Sequence, residues 1–396
     1  MMQRFRRIRV NGTAPERLSL ERTLHLMWQW LKYSGLHPNL LLISVEKSST
    51  SDILRWMFTL IILMLALALG IFEAIQLIIG SWSVQNLVKV VPNVLFTMPL
   101  LYSLIFQYYV WSHRHQIKQF FEDWKIIERK MNCSDSSKLK HNINTQCIMI
   151  YLSTFVMAIL LAIWNWMSPE ESFFLTHYFD IRETFGVLPI SVAASVVFSF
   201  NSIFFAIRLT IPMICFHVIT CYVENLEGEW ELASKNERFL RVIWQRYESI
   251  LHLVNRANEA FGAIINGAIS FNMLYSFMMI FYALEEFQRS LTVFPVVLIF
   301  SIFGILNIVR LNWFLSRLYL SKDKLKKSIA DQLSLNWYKL NESDRQLHVT
   351  FLARLGKGDL CVRPMKLYSV NPSNLLGISA TIINYFIVLA QANQKC

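Results

Sequence analysis

The chain has 396 residues, of which 54% are hydrophobic and only 16% charged, with a net charge of +11. Soluble domains carry roughly 45–50% apolar and about 25% charged residues, so this balance, with 29 Phe and 12 Trp and a mean hydropathy of +0.38, excludes a chain bathed by water on all its faces. Nor does the positive charge point to nucleic acid, because Lys and Arg are scattered between long apolar runs instead of gathering on one soluble face.

Residues 1–52 hold Arg4, Arg6, Arg7 and Arg9 but no apolar stretch leading to a small-residue cleavage site, so they read as a retained cytosolic N-terminal segment. Seven runs then reach the ~20 apolar residues that a membrane-spanning helix needs: Ile53–Ile79, Val90–Trp111, Cys147–Met167, Gly186–Cys221, Ala260–Leu284, Leu291–Phe314 and Pro372–Gln391. The fold class expected is therefore all-α, a seven-transmembrane-helix membrane protein. Residues 53–221 hold helices 1–4, 260–314 helices 5–6, and 372–391 the last helix. The fourth run is too long for one crossing; its C-terminal part is expected to leave the bilayer, bending at Pro212.

The remaining segments are not simple linkers. Residues 222–259 alternate charged and apolar positions at helical spacing, with Glu227, Glu231, Arg238, Arg241 and Glu248 among Leu226, Trp230, Leu240, Ile243, Trp244 and Leu251. Within 315–371, the stretches 316–336 and 342–355 read the same way. Together they predict a cytosolic helical extension and an anchor layer that joins subunits, with an in-plane amphipathic helix as the alternative.

Orientation follows from Lys and Arg. With the N-terminus inside, the inner segments carry 8, 7, 5 and 11 of them, 31 together, against four outside: Lys89, Arg182, Arg289 and Lys395. The positive-inside rule therefore places the N-terminus in the cytoplasm and residues 392–396 outside the cell. The sequons at Asn11, Asn132 and Asn341 fall on the inner side, where none would be glycosylated.

No enzyme motif is present: there is no phosphate-cradling Gly-rich loop, GxSxG or HExxH. The six cysteines, Cys133, Cys147, Cys215, Cys221, Cys361 and Cys396, show neither CxxC pairing nor His at ligand spacing, so no metal, cofactor or disulfide framework is expected. His113 and His115 end the second run and read as membrane-edge packing. Of the charges inside spans, Arg55 and Glu73 lie near the ends, while Arg208 and Arg310 are placed to neutralise inner-layer carboxylates. A transporter would be expected to place an acidic coupling residue near mid-membrane, and none is seen.

The last run carries the sharpest signal. Asn374, Gly377, Thr381, Asn384, Val388 and Gln391 are spaced 3, 4, 3, 4, 3 and share one face. A polar stripe avoids lipid. It serves either interhelical hydrogen bonding or a water-filled pore lined by one copy of this helix per subunit, with Val388 or Ile387 as an apolar constriction. The outer halves of spans three to six are rich in rings and small polar groups: Trp164, Asn165, Trp166, Ser191, Phe198, Phe200, Tyr275 and Tyr282. Such a set suits a pocket for a small organic ligand, and equally an interfacial belt against membrane lipid.

Leu367-Tyr-Ser-Val, followed by the run from Asn374 through Asn384-Tyr385 to Gln391, resembles the C-terminal signature of insect gustatory receptors: Thr-Tyr, five hydrophobic residues, then Gln-Phe. Tyr385 and Gln391 match in residue and spacing, while Asn384 stands for the Thr and Ala392 for the Phe. The stretch Tyr247–Gly262 also looks like the family's approach to the fifth span. In length, span number and N-terminal placement the chain is similar to the wider superfamily, which includes the insect odorant receptors.

The resemblance implies a non-selective cation channel opened by small organic tastants and assembled as a homo- or hetero-tetramer with related receptors. It would sit in the plasma membrane of a sensory dendrite, with the last helices around the pore and Gln391 at the extracellular gate. An odorant-receptor subunit is the nearest alternative, and a metabotropic seven-helix receptor or a transporter the more distant ones.

Overall fold

A backbone crossing lipid finds no water to bond, so each apolar run must close its own N–H and C=O groups, which a helix does locally. The computed structural model describes residues 100–128, 210–230, 237–289, 294–357 and 360–393, with isolated helical positions between 54 and 98 and between 145 and 163. Among the described residues there is helix and no strand. We label the helices α1 (residues 100–112), α2 (Arg114–Glu128), α3 (residues 210–230), α4 (Glu237–Arg289), α5 (Phe294–Asn336), α6 (Glu342–Gly356) and α7 (Pro372–Asn393).

The expected spans and amphipathic segments fuse into longer rods. The fifth span and much of the preceding amphipathic stretch form one helix of 53 residues, α4, about 80 Å long. The sixth span runs on through residues 316–336 as the 43-residue α5, about 65 Å long. Both exceed the ~30 Å hydrocarbon layer, and both contain stretches apolar and long enough to cross a membrane. No Pro or Gly cluster interrupts either rod where it passes from apolar to charged composition, so the helix continues.

The centre of the charge-rich half is α3. Its residues 210–220 are all buried, the mark of a helix surrounded by others. Pro212 lies inside this helix, which runs unbroken from it to residue 230; its N-terminal approach lies outside the described residues. Around α3, the other helices attach through specific contacts. Trp124 of α2 donates its indole N–H to the Tyr222 hydroxyl at 3.3 Å. Phe314 of α5 meets His217 edge-on at 6.0 Å. Further along α5, Arg317 and Ser321 share Glu224 at 3.5 and 3.2 Å, and Lys324 pairs with Glu227 at 3.2 Å. Arg317 and Lys324, not Arg310, pair with these carboxylates; Arg310 makes no ion pair among the described residues, and Arg208 lies outside them.

The short helices dock by amphipathic faces. On α2 the buried residues Ile117, Phe120, Phe121, Trp124 and Ile127 recur at helical spacing, and Phe120 packs edge-on against Phe261 of α4 at 5.2 Å. The backbone hydrogen bond from Ile117 N to His113 O joins α1 to α2, and His113 stacks on Tyr109 at 4.0 Å. α6 begins at Asn341, whose side chain accepts from the Asp344 amide at 2.7 Å; this satisfies one of the helix's free N–H groups. Phe351 then inserts among Trp230, Trp244 and Tyr247, at 5.6, 5.1 and 5.1 Å.

Candidate functional site: the last helix and its mooring

After α6 the chain turns back along α4 before rising into α7. In this segment Met365 and Lys366 adopt positive φ, 52° and 62°, a left-handed conformation that costs a non-glycine residue of order 1–3 kcal/mol. Three α4 residues one turn apart, Asn258, Gly262 and Asn266, meet the segment. The Asn258 amide donates to Cys361 O at 2.9 Å and its oxygen accepts from the Arg363 amide at 2.8 Å. Gly262 lets the backbone approach: a Cβ there would lie 2.9 Å from Met365 N. Asn266 donates to Met365 Sδ at 3.7 Å and accepts from the Tyr368 hydroxyl at 3.4 Å. Burial holds that hydroxyl above its usual pKa, so Tyr368 stays a neutral donor.

The start of α7 is capped within the same segment. Asn371 accepts from the Asn374 amide at 3.0 Å, and Asn374 donates to Ser369 O at 2.8 Å. Pro372 opens the helix, where its missing N–H costs nothing. α7 then leans on its own chain through Ile378 and Tyr385. Ile378 packs with Ile280 of α4 and Ile308 of α5, and Tyr385 meets Phe277 at 4.5 Å.

The polar stripe lies roughly 90° around the helix from that contact face. Gly377, Thr381, Asn384, Val388 and Gln391 are all exposed, as is Ile387. Thr381 donates to the Gly377 carbonyl of its own helix, at 2.9 Å. Asn374, at the base of the stripe, is half-buried and belongs to the cap. Among the described residues, no interhelical hydrogen bond engages the upper stripe.

Of the pocket candidates, Trp164, Asn165, Trp166, Ser191, Phe198 and Phe200 lie outside the described residues. Tyr275 and Tyr282 are placed seven residues apart on α4. Tyr282 is buried in a cluster with Leu100, Met279, Val297 and Phe300, against which Tyr275 packs, and Tyr275 also stacks on Phe271 at 6.1 Å. Both contribute to the wall between α1, α4 and α5. No group of His, Cys, Asp or Glu among the described residues could hold a metal ion, and Cys215, Cys221 and Cys361 form no disulfide among the described residues.

The clamp on residues 361–368 has no counterpart in the sequence reading. Its signal was the four-residue spacing of Asn258, Gly262 and Asn266, which is mute until the segment that fills the face is known.

The sequence matches the 7tm chemosensory receptor family over residues 24–395. The chain belongs to that family. It is a family of membrane receptors and not of enzymes. No curated protein matches the sequence. Among solved structures, this chemosensory receptor is similar to the insect olfactory receptor OR5 from Machilis hrabei in complex with eugenol. The TM-score is 0.62 at 15% identity, over 94% of this chain and 98% of that one. A second structure of the same olfactory receptor matches with a TM-score of 0.60 at 12% identity, again over 94% and 98%. At these identities the likeness establishes a shared fold over nearly the whole of both chains.

Proposed function

We propose that the chain is a subunit of a ligand-gated, non-selective cation channel that detects small organic tastants. The observation that carries this reading is the stripe on α7: Thr381, Asn384, Val388 and Gln391 are exposed, about a quarter-turn round the helix from the face that packs on α4 and α5. A polar face is unfavourable in lipid, and four such helices around an axis would turn it toward water. On this reading Gln391 stands at the outer gate with Val388 or Ile387 as the apolar constriction, and ligand favours the open arrangement by binding it more tightly than the closed one.

The rest of the assignment follows the same reasoning. The Lys and Arg distribution supports a plasma-membrane topology with the N-terminus in the cytoplasm and the C-terminus outside. The charge-rich ends of α4 and α5, with α3 and α6, form the anchor layer through which a homo- or hetero-tetramer assembles. The ligand is a small organic molecule held near Tyr275 and Tyr282 together with the ring-rich segments around Trp164 and Phe198. The Tyr385 to Gln391 spacing favours the gustatory branch. The likeness to an olfactory receptor solved with eugenol favours the odorant branch.

Expression of the chain alone, and with related receptors, followed by current recording under eugenol and a panel of sugars and bitter alkaloids, tests the proposal. Ligand-evoked cation currents support it, and their absence throughout counts against it. Epitope tags separate it from a metabotropic receptor, which would expose its N-terminus on intact cells.

A further inference from the structure

We propose that Asn258, Gly262 and Asn266 of α4 form a clamp on residues 361–368 that sets where α7 begins and carries displacement of α4 into it. The three positions stand at i, i+4 and i+8, a single face about 12 Å long. Each holds the segment by different chemistry. Asn258 uses both halves of its amide, donating to Cys361 O and accepting from Arg363 N. This pairing copies a strand ladder onto a helix side chain. Gly262 gives the room that the Met365 backbone occupies, and Asn266 reaches Met365 and Tyr368 beyond it.

The segment cannot rest in this shape unaided. Two consecutive non-glycine residues, Met365 and Lys366, are left-handed, and such residues persist where surrounding contacts over-determine them. The Val370 amide closes the loop on Val362 O at 2.8 Å, and Ser369 and Asn371 cap α7. From the clamp to the first turn of α7 there is thus a continuous chain of hydrogen bonds. The three α4 residues are positioning residues: they touch no permeating ion, and act by fixing the helix whose stripe does. Their role in gating rests on the channel reading above, whereas the clamp itself does not.

Hydrogen–deuterium exchange of the full chain in lipid nanodiscs tests the clamp. In Asn258→Ala, exchange across residues 361–371 should rise at least tenfold and extend into residues 372–378, with residues 241–255 unchanged. Asn258→Asp keeps the acceptor for the Arg363 amide but sets a carboxylate oxygen against Cys361 O in place of the donor, so exchange across 361–371 should stay raised. Gly262→Ala is decisive because alanine favours helix over glycine: α4 should exchange no faster while 361–371 loosens. Unchanged exchange at 361–371 in both alanine variants overturns the clamp, as does loosening that spreads equally through α4.

Coupling is read from the ligand-free sodium current at matched surface abundance. Both alanine variants should shift it at least threefold, while Asn255→Ala, exposed on the same helix, leaves it alone. An unshifted current in a conducting channel overturns the coupling. A wild-type chain that conducts under no condition refutes the channel reading, and the clamp then stands or falls on exchange.

Discussion

The Tyr385 ring lies 4.5 Å from that of Phe277, with the two planes inclined by 42°. This contact ties the middle of α7 to α4 and turns Tyr385 toward its own chain, leaving Asn384 and Val388 beside it to face outward. Aromatic pairs of this kind are worth about 0.5–1.5 kcal/mol beyond the area they bury. A double-mutant cycle of Tyr385→Ala and Phe277→Ala, followed by thermal unfolding in detergent, should therefore show coupling of about that size. Strictly additive losses would mean that the rings do not support each other.

Phe351 is the peg that holds α6. It is 1% exposed and touches Trp230, Trp244 and Tyr247 from three directions. Phe351→Ala should cost about 3–5 kcal/mol, since a ring-sized cavity among other rings collapses poorly. The measurement is a melting curve together with limited proteolysis of residues 342–356, where cleavage should appear first.

Gly304 of α5 packs against Ser276 of α4. A Cβ on Gly304 would stand 2.7 Å from Ser276 Oγ, a buried hydroxyl with no hydrogen-bond partner among the described residues. Gly304→Ala should destabilise by about 1–3 kcal/mol through overpacking. Ser276→Ala alone should be close to neutral, because it removes a buried polar group that pairs with nothing among those residues, and the double substitution should recover most of the loss. Failure of Ser276→Ala to rescue would place the crowding elsewhere.

Tyr368 gives the clamp a pH signature. Its folded pKa lies above the ordinary value of 10.0 because burial disfavours the phenolate. The stability it contributes is thus fully present below pH 10.0 and is lost as pH rises through the folded value. The wild-type melting temperature should fall more steeply above that point than that of Tyr368→Phe. Parallel curves would show that the hydroxyl is solvated.

Much of the helical architecture was legible because lipid leaves the backbone one solution: twenty apolar residues must close their own hydrogen bonds. The continuity of α4 and α5 was harder to see, since the change from apolar to charged composition near Ala260 and Phe314 looks like a boundary. It is only a change of solvent, and helices do not end there. The stripe on α7 could be read from its spacing, but its direction could not. A 3.6-residue period says which residues share a face and nothing of what the face meets. The clamp was least legible, because a left-handed Met365 is set by its surroundings and leaves no mark in local composition.

Unitary recording from the purified chain in planar bilayers tests the central claim most directly, with eugenol as the first probe and wild type compared with Gln391→Ala, Asn384→Leu and Ile383→Val. Ile383 is exposed on α7, roughly 120° from the stripe. If the stripe lines a pore, wild type shows stepwise currents carried by both sodium and potassium. Gln391→Ala and Asn384→Leu then change the step size or open time at least twofold, and Ile383→Val leaves both as they were. Equal effects from all three substitutions, or no steps under any condition, would contradict it.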